Sequence, residues 1–313
     1  MGNAGIVICG SLNMDFVVSV AQLPAHGETV LGRDFQMIPG GKGANQASAA
    51  GRLVAEGTRV RMIGRVGHDM FGDHLKASLS ASGVDVSAVN HSRSQPTGVA
   101  LIAVEASGQN TIVVASGANM DMPAADVEAM RRVFRGSSVA LFQLETPLET
   151  VGAALAMARE EGLITILDPA PAQPLSDDLL AQVDILTPNE MEALGLLSRT
   201  GRRLTPDEAA PIAEELRARG PKRVILKLGD QGCFATDGIT AAHYPGFSVK
   251  AVDATAAGDT FNAGLAVGLS EGLSFQDAIR MANAAAAISV TRRGAQSSAP
   301  SRAEVNTILA GLN

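Results

Sequence analysis

The sequence has few aromatic residues, no tryptophan and no excess of positive charge. Only 3% of its 313 residues are aromatic, and the formal net charge is -7. Proteins that bind nucleic acids usually present a basic surface, often with aromatic side chains that stack on bases. We therefore expect no nucleic acid partner.

Cysteine is also scarce, and the two cysteines, Cys9 and Cys233, lie far apart within apolar runs. This pattern offers neither a disulfide framework nor the paired spacing of a zinc site. The five histidines are likewise scattered without a metal-ligand spacing. The first residues do not resemble a signal peptide, and no run reaches about 18 consecutive apolar residues. We expect a cytoplasmic protein that does not bind membranes.

Apolar residues, in contrast, are abundant and regularly arranged. They make up 46% of the chain against 18% charged residues, enough to bury a large core. Short apolar runs that read as buried parallel strands alternate with periodic segments that read as helices. The predicted strands are residues 6–8, 138–141, 164–167, 183–186 and 223–228. Residues 146–149 and 205–208 read as capping boxes with proline at the first helical position. This alternation predicts an open α/β sheet covered on both faces.

Four further segments show the strict alternation of half-buried strands and are predicted to be antiparallel. They cover residues 15–20, 28–38, 98–105 and 110–115. We interpret them as a small sheet that projects as a lid from a single α/β domain spanning residues 1–313. The lid would be inserted at about residues 14–38 and 97–116. Such a lid can exclude water from a phosphoryl-transfer site.

A glycine-rich segment, residues 39–46, precedes a predicted helix over residues 47–56. Its glycines allow close approach of the backbone to a ligand, and the helix N-terminus supplies free amides. The segment lacks the GxxxxGK[ST] spacing of a Walker loop and the GxGxxG of a dinucleotide turn. The alternative is a glycine-rich turn that only packs the helix.

A second segment, residues 252–262, contains the candidate base. Phe261, Leu265 and Leu269 recur at helical spacing and predict a helix that begins near Gly258. The amides before its first turn can hold a transferring phosphoryl group. Asp259 can then accept the proton of an attacking hydroxyl. The alternative is that Asp259 only interacts favourably with the helix dipole.

Other polar groups follow predicted strands, where open α/β sheets bind ligands. Asn13 and Asp15 face the same way on an extended chain and suit sugar hydroxyls, although turn chemistry would also explain them. Glu145 is either a ligand contact or a charge near a helix cap. Residues 189–192 are either a ligand site or a solvated helix start. Residues 227–232 form a glycine-bounded turn that an ordinary hairpin would also explain.

The order and spacing of these segments resemble the ribokinase-like family of carbohydrate kinases. Residues 40–46 resemble its amino-terminal signature, residues 253–264 its carboxyl-terminal signature, and residues 189–192 its Asn-x-x-Glu motif. The resemblance implies a ribokinase-like three-layer α/β/α sandwich with a small β-sheet lid. It also implies phosphorylation of D-ribose at its 5-hydroxyl by ATP, giving D-ribose 5-phosphate and ADP. Mg²⁺ and an activating monovalent cation, K⁺, would be the cofactors beside ATP.

The resemblance further implies roles for individual residues. Catalysis would use Asp259 as general base and Gly258, Ala257 and Ala256 as an anion hole. Sugar would be bound by Asn13, Asp15, Gly41, Lys42, Gly43, Asn45, Glu145 and Asp259. ATP, with its magnesium, would be bound by Asn189, Glu192, Lys227, Gly229, Gly232, Gly258 and Asn283. The monovalent cation would be enclosed by Asp253, Thr255, Ser289, Arg292, Gly294 and Ser298. Of these, Thr255, Ser289, Arg292 and Gly294 would contribute mainly carbonyl groups.

The sequence departs from the family pattern at Ala254, where relatives usually carry a hydroxyl or another signature residue, and at Asn283, which can be histidine. Alternatives within the family are kinases for another pentose, a nucleoside or a ketohexose. An alternative outside enzymes is a sugar-binding regulator without turnover. The unpaired edges of the lid strands predict a homodimer formed through the lid.

Overall fold

The computed structural model describes residues 5–105, 107, 109–201 and 203–311. The strands are β1 (Gly5–Cys9), β2 (Asn13–Val20), β3 (Arg33–Gly40), β4 (Arg59–Val66), β5 (Val84–His91), β6 (Gly98–Glu105), β7 (Asn110–Ala115), β8 (Val139–Phe142), β9 (Ile164–Leu167), β10 (Ile185–Leu186), β11 (Arg223–Lys227), β12 (Cys233–Thr236) and β13 (Ala241–Tyr244). The α-helices are α1 (Lys42–Leu53), α2 (Met70–Ala81), α3 (Ala124–Ala129), α4 (Arg131–Phe134), α5 (Leu148–Glu160), α6 (Asp177–Leu180), α7 (Glu190–Leu196), α8 (Pro206–Ala218), α9 (Ala257–Ser270), α10 (Phe275–Ser289) and α11 (Arg302–Ala310).

The larger sheet has the order β13-β12-β11-β10-β9-β8-β1-β4-β5. All neighbours from β11 to β5 are parallel, whereas β12 and β13 add an antiparallel edge. The five predicted parallel strands are β1, β8, β9, β10 and β11. From β1 the chain first builds β4 and β5 on one side and later β8 to β11 on the other. The direction of strand addition therefore reverses between β1 and β8, and ligands bind at such a point in open α/β sheets.

Successive residues of the central strands feed two separate cores. Ile6 and Ile8 belong to the core shared with α1, α9 and α10, whereas Val7 and Cys9 belong to the core shared with α5 and α8. All four side chains are 0 or 1% exposed. Since strand side chains alternate between faces, helices cover both faces of the sheet. This is the predicted three-layer α/β/α arrangement.

A second sheet has the order β3-β2-β6-β7. β2 pairs antiparallel with β3, and β6 with β7, but β2 and β6 are parallel over their full length. The prediction that all these strands are antiparallel was therefore wrong for the central pair. β6 reaches this sheet from β5 by a separate connection, and a parallel pair needs such a crossover. We call this sheet the lid sheet; its closing motion stays a prediction.

Two predicted helix starts had different outcomes. Thr205 caps α8 in a full capping box with Glu208, as predicted. Thr146 does not cap α5, because the helix begins one residue later than predicted, with Pro147 at the N-cap and no side-chain cap hydrogen bond. Thr146 is instead buried in the chain that leaves β8.

None of the helices in the described ranges is long and apolar enough to cross a membrane.

Candidate active site

The site lies where β1 and β8 separate at their carboxyl ends. Ser11 follows β1 and donates its hydroxyl hydrogen to the carboxylate of Glu145, which follows β8. Glu145 also accepts a hydrogen bond from the backbone amide of Lys42, at 3.2 Å. Glu145 thus joins both central strands to the first turn of α1. A carboxylate is favoured at a helix N-terminus because the amides there are unpaired.

Helix α1 begins at Lys42, five positions before the predicted start at Ala47. Gly41 has a φ of 88°, a conformation that favours glycine, and turns the chain into the helix. A Cβ at Gly43 would lie 2.7 Å from backbone atoms of Gly10 and Ser11. The glycines therefore allow the helix to start directly against the turn after β1. Lys42 and Asn45 belong to its first turn and do not precede it.

Asp259 lies in the first turn of α9 and is 6% exposed. One of its carboxylate oxygens accepts a hydrogen bond from Asn45 Nδ2 at 3.0 Å, and the other from Gln46 Nε2 at 3.1 Å. The Oδ1 atom of Asn45 is buried and has no hydrogen-bond partner among the described residues. This oxygen is a hydrogen-bond acceptor beside Asp259, without a partner in the ranges that the structure describes.

Charged groups converge on this position. Burial raises the pKa of Asp259 to about 6, with a further increase from Asp168, while Lys42 and the two amide hydrogen bonds act in the opposite direction. Burial, and then Glu145 and Asp259, raise the pKa of Asp15 to about 7. Burial disfavours the charged form of Lys42, but four surrounding carboxylates outweigh it and raise its pKa. A buried carboxyl with a pKa near neutrality suits a general base.

The turn before α9 has the geometry of an anion site. Ala256 adopts a left-handed conformation with φ 57° at the N-cap, which is uncommon for a residue other than glycine. The amide of Ala257 donates a hydrogen bond to the carbonyl of Ala254 at 3.2 Å. The amide of Thr260 donates to the carbonyl of Ala256. Gly258 and Asp259 lie in the first turn of α9, where backbone amides have no acceptor within the helix. Their amides are therefore available to an anion. Of the predicted anion-hole amides, that of Ala257 is therefore engaged elsewhere.

Lys227, at the end of β11, extends to the same turn. A Cβ at Gly258 would lie 3.2 Å from its Nζ atom. The ammonium group forms a 3.0 Å ion pair with Asp168, with side chains 12% and 3% exposed. Asp168 follows β9, and Lys227 is the last residue of β11. The ion pair therefore joins the carboxyl ends of these two strands. The position of Lys227 beside the anion site suits contact with phosphate.

Asn189 and Glu192 cap α7 reciprocally. Asn189 accepts from the amide of Glu192 at 2.9 Å, and Glu192 accepts from the amide of Asn189 at 2.8 Å. Glu192 is 8% exposed; burial raises its pKa, and Lys227 opposes this increase. The second carboxylate oxygen of Glu192 is not used by the capping box. Carboxylate oxygens are ligands that Mg²⁺ accepts, often through water, so the motif fits that ion.

Two of the remaining predicted ATP contacts, Asn283 and Gly232, lie beside residues 244–246. Asn283, on α10, donates to the carbonyls of Tyr244 and Pro245 at 3.2 and 3.3 Å. Gly232 has a φ of 87°, and a Cβ there would lie 2.2 Å from the Tyr244 carbonyl oxygen. Gly229 lies in the short 3₁₀ turn between β11 and β12. The structure therefore brings Asn283 and Gly232 together, but both amide hydrogens of Asn283 point at backbone carbonyls.

The predicted cation loop is held together by Asp253. Its carboxylate accepts from the amide and hydroxyl of Thr255 and, at 2.9 Å, from the amide of Gly294. Other predicted members use their side chains locally: the hydroxyl of Ser289 donates to Ala286, that of Ser298 donates to Ala295, and Arg292 pairs with Glu304. No group of three or more His, Cys, Asp or Glu side chains is arranged to hold a metal in the described part of the chain. The oxygen atoms of the backbone carbonyls in this loop suit a hard monovalent cation.

Sequence reasoning missed Asn119, which is 1% exposed. Its Oδ1 atom accepts from the amide of Leu12 at 2.9 Å, and its Nδ2 atom donates to Asn13 Oδ1 at 2.7 Å. Because the Oδ1 atom of Asn13 is the acceptor here, its Nδ2 atom remains as a donor for a ligand. Asn119 follows the lid strands and carries no local signal for this role. Asp168 was also missed, although it follows a strand just as Glu145 does.

Replacing Asn119 with leucine is expected to raise the KM for the predicted sugar substrate about tenfold or more while changing kcat less. The change leaves Asn13 free to rotate and removes three buried hydrogen bonds, each worth about 1 kcal/mol. Steady-state kinetics with varied sugar concentration measure this effect. Thr150→Val on α5 is the control, because it also breaks a buried hydrogen bond, to Met122, outside the site. Equal KM values in the two variants would contradict the role of Asn119.

Comparison with known proteins supports the family prediction. The model of the pfkB family carbohydrate kinases matches residues 3–302. The chain belongs to the pfkB family of carbohydrate kinases, which confirms the predicted family and its ribokinase-like α/β fold.

Within this family, the similar proteins described below are ribokinases. The chain is 43% identical over 300 residues to the ribokinase of Haemophilus influenzae, covering 96% of each chain. It is 41% identical over 305 residues to the ribokinase of Bacillus subtilis, covering 97% of this chain and 99% of the relative. The structure of Arabidopsis thaliana ribokinase complexed with ribose and ATP superimposes with a TM-score of 0.87 at 32% identity, covering 97% and 98% of the two chains.

Proposed function

We propose that this protein transfers the γ-phosphoryl group of ATP to the 5-hydroxyl of D-ribose. The observation that carries the proposal is the position of Asp259, a buried carboxylate in the first turn of α9. Asn45 and Lys42 of α1 border it on one side, and the anion site with Lys227 on the other. The ribokinases of H. influenzae and B. subtilis, and the A. thaliana complex with ribose and ATP, support the choice of substrates.

In this mechanism Asp259 takes the proton of the sugar 5-hydroxyl as that oxygen attacks the γ-phosphorus. A new P–O bond forms to the sugar, the bond to the bridging oxygen breaks, and ADP leaves. The amides of Gly258 and Asp259, together with Lys42 and Lys227, stabilise the charge on the transferring group. Positioning and electrostatics account for most of the catalysis of phosphoryl transfer.

Donors and acceptors on the sugar side are complementary to hydroxyl groups. Asn13 offers a donor, because Asn119 occupies its oxygen. Asp15 and the free oxygen of Asn45 offer acceptors. A Cβ at Gly40 would lie 2.1 Å from the Asp15 carboxylate, so glycine at the end of β3 leaves room for that side chain. A polyhydroxylated ligand, which both donates and accepts, fits this set.

Two metal ions are part of the proposal. Glu192 and Asn189 would hold Mg²⁺, directly or through water, and the ion would neutralise charge on the phosphates. The carbonyls near Thr255, Ser289, Arg292 and Gly294 would hold K⁺ in the loop that Asp253 joins, with Ser298 beside it. That loop leads directly into the anion site at Ala256.

The test is an ATP-coupled assay over ribose, deoxyribose, fructose and adenosine, with and without potassium. We expect ADP production to be fastest with ribose and to increase with potassium. A preference for another acceptor would support the related kinases for another pentose, a nucleoside or a ketohexose. Sugar binding without ADP production across the panel would favour a regulator without turnover and would contradict the proposal.

The rate is expected to fall about tenfold per pH unit below about pH 6. Asp259 acts only when deprotonated, and because burial raises its pKa to about 6, it loses this form at a higher pH than an exposed aspartate. Protonation of Asp15, with a pKa of about 7, weakens sugar binding in the same direction, so kcat/KM begins to fall nearer pH 7 and falls more steeply than kcat. Measurement of kcat/KM from pH 5 to 9 tests this. A rate that stays constant down to pH 4.5 in folded protein would contradict it.

We also propose a homodimer formed through the lid sheet. Every residue of the edge strand β7 is exposed. Met37, Leu101 and Val113 lie in one row across the sheet and are 46%, 55% and 60% exposed. A second copy would cover this row and the unpaired edge. A monomer mass by light scattering at micromolar concentration would count against the dimer.

The two free, buried cysteines suit the predicted cytoplasmic location, which stays a prediction.

A further inference from the structure

A chain of buried hydrogen bonds connects the base to the nucleotide side of the site. Gln46 Nε2 donates to Asp259 at 3.1 Å and to Asp168 at 3.2 Å. Asp168 in turn forms the ion pair with Lys227. Gln46 is 0% exposed and lies one residue after Asn45, which holds the other oxygen of Asp259. A single amide group therefore lies between two buried carboxylates.

The orientation of this amide is fixed by its surroundings. If the Gln46 side chain were flipped, its oxygen would face two carboxylates, which is electrostatically unfavourable. Gln46 Oε1 instead accepts a 2.6 Å hydrogen bond from Gln143 Nε2, and Gln143 is also 0% exposed. A Cβ at Gly10 would lie 1.9 Å from Gln143 Oε1, so the turn after β1 fits closely around Gln143. Gln143 thus locks the side chain of Gln46 in one orientation. In this orientation both N–H groups of Gln46 point towards Asp259 and Asp168.

The bridge that Gln46 forms between Asp259 and Asp168 affects both the geometry and the charge of the site. Two adjacent buried carboxyl groups would otherwise tend to share a proton, which raises one pKa strongly. The two N–H groups of Gln46 supply the bridge that such a proton would make, and the hydrogen bond to Asp259 favours the charged form of that carboxylate. Lys42 from α1 also favours the charged form of Asp259, and Asp259 in turn raises the pKa of Asp15 from β2.

We propose that Gln46, locked by Gln143, is a positioning residue that aims the Asp259 carboxylate and keeps it available as a base. The proposal rests on the proposed function, because it assigns Gln46 a role in proton transfer. It also connects the two halves of the site, since the same amide holds Asp168 and, through it, Lys227. Gln46 acts through other side chains and need not touch substrate.

The test compares Gln46→Leu and Gln143→Leu with the unchanged protein, with Gln182→Leu as control. Gln182 lies before β10 and donates to Asp178, away from the site. For Gln46→Leu we expect the acid limb of the kcat profile to move up by about one pH unit. A hydrogen bond to a charged group changes an equilibrium about tenfold or more. We also expect about a tenfold lower kcat on the alkaline plateau, because the base is no longer aimed. The sugar Kd by calorimetry should change little.

For Gln143→Leu the same shifts should be smaller, because Gln143 touches neither carboxylate. An acid limb and plateau equal to those of the control in both variants would overturn the proposal. If Gln46→Leu does not fold, the profile of Gln143→Leu decides in the same way. Failure of the proposed function is distinguishable, because the unchanged protein would then show no ribose-dependent ADP release. A loss of thermal stability alone, without a shift in the profile, would indicate a structural role and also overturn the proposal.

Discussion

Replacing Asp259 with asparagine is expected to lower kcat about 10²-fold or more while leaving sugar binding largely intact. Asparagine has nearly the same shape but cannot take the proton of the attacking hydroxyl, and loss of a general base usually costs this much. The sugar contacts proposed for Asn13, Asp15 and Asn45 are not changed by this substitution. Rapid-quench measurement of product formation and calorimetric titration of ribose separate the two effects.

Asp277 provides the matched control for this prediction. It lies in the first turn of α10, as Asp259 does in α9, but it is exposed. If Asp259 only interacted favourably with the helix dipole, both substitutions to asparagine would behave alike. They would cost about 0.3–1 kcal/mol of stability and leave turnover nearly normal. Near-normal turnover in Asp259→Asn would remove this residue from its role as base.

Replacing Lys42 with methionine is expected to have the second-largest effect, a decrease in kcat of about 10²–10³-fold. The charge of Lys42 acts on Asp259, Asp168, Glu145 and Glu192. Removing it leaves these carboxylates to repel an incoming phosphate, and loss of one group that stabilises transition-state charge costs about this much. Because Lys42 also opposes the increase in the pKa of Asp259, the acid limb of the rate profile should move to higher pH.

Lys222→Met is the control for Lys42→Met. Lys222 is a lysine with a 68% exposed side chain, and it pairs with Asp184 at the opposite end of the strands. Its removal should change kcat less than twofold, because the pair lies away from the site. A kcat for Lys42→Met within a few-fold of this control, with an unmoved acid limb, would contradict the electrostatic role. Calorimetry of ribose binding would then show whether Lys42 contributes only to affinity.

Several elements of the fold and site could be predicted because their signals are local. Apolar runs such as residues 164–167 are buried strands with the predicted boundaries. Thr205 and Glu208 form the predicted capping box from four consecutive residues. The helix that carries Asp259 begins within one residue of the predicted Gly258. In these cases the residues that determine the structure lie next to one another in the chain.

The rest depends on contacts between distant segments. Helix α1 starts five residues early because the turn after β1 packs against Gly43, which nothing in residues 39–46 indicates. The parallel pairing of β2 and β6 depends on how β5 is connected. Asn119 and Gln46 act on residues 106 and 213 positions away, respectively. Their amides look like ordinary polar side chains until the fold brings their partners close.

The lid sheet is attached to the site through the site's own residues. Asn13 is the first residue of β2 and pairs with Gly40, the last of β3, and with Gly98, the first of β6. A rotation of the sheet therefore displaces the residues proposed to bind sugar, without any intervening element. If a second copy held the sheet in one orientation, sugar affinity would change by some factor. Thermodynamic reciprocity then requires that sugar change the affinity between the copies by the same factor.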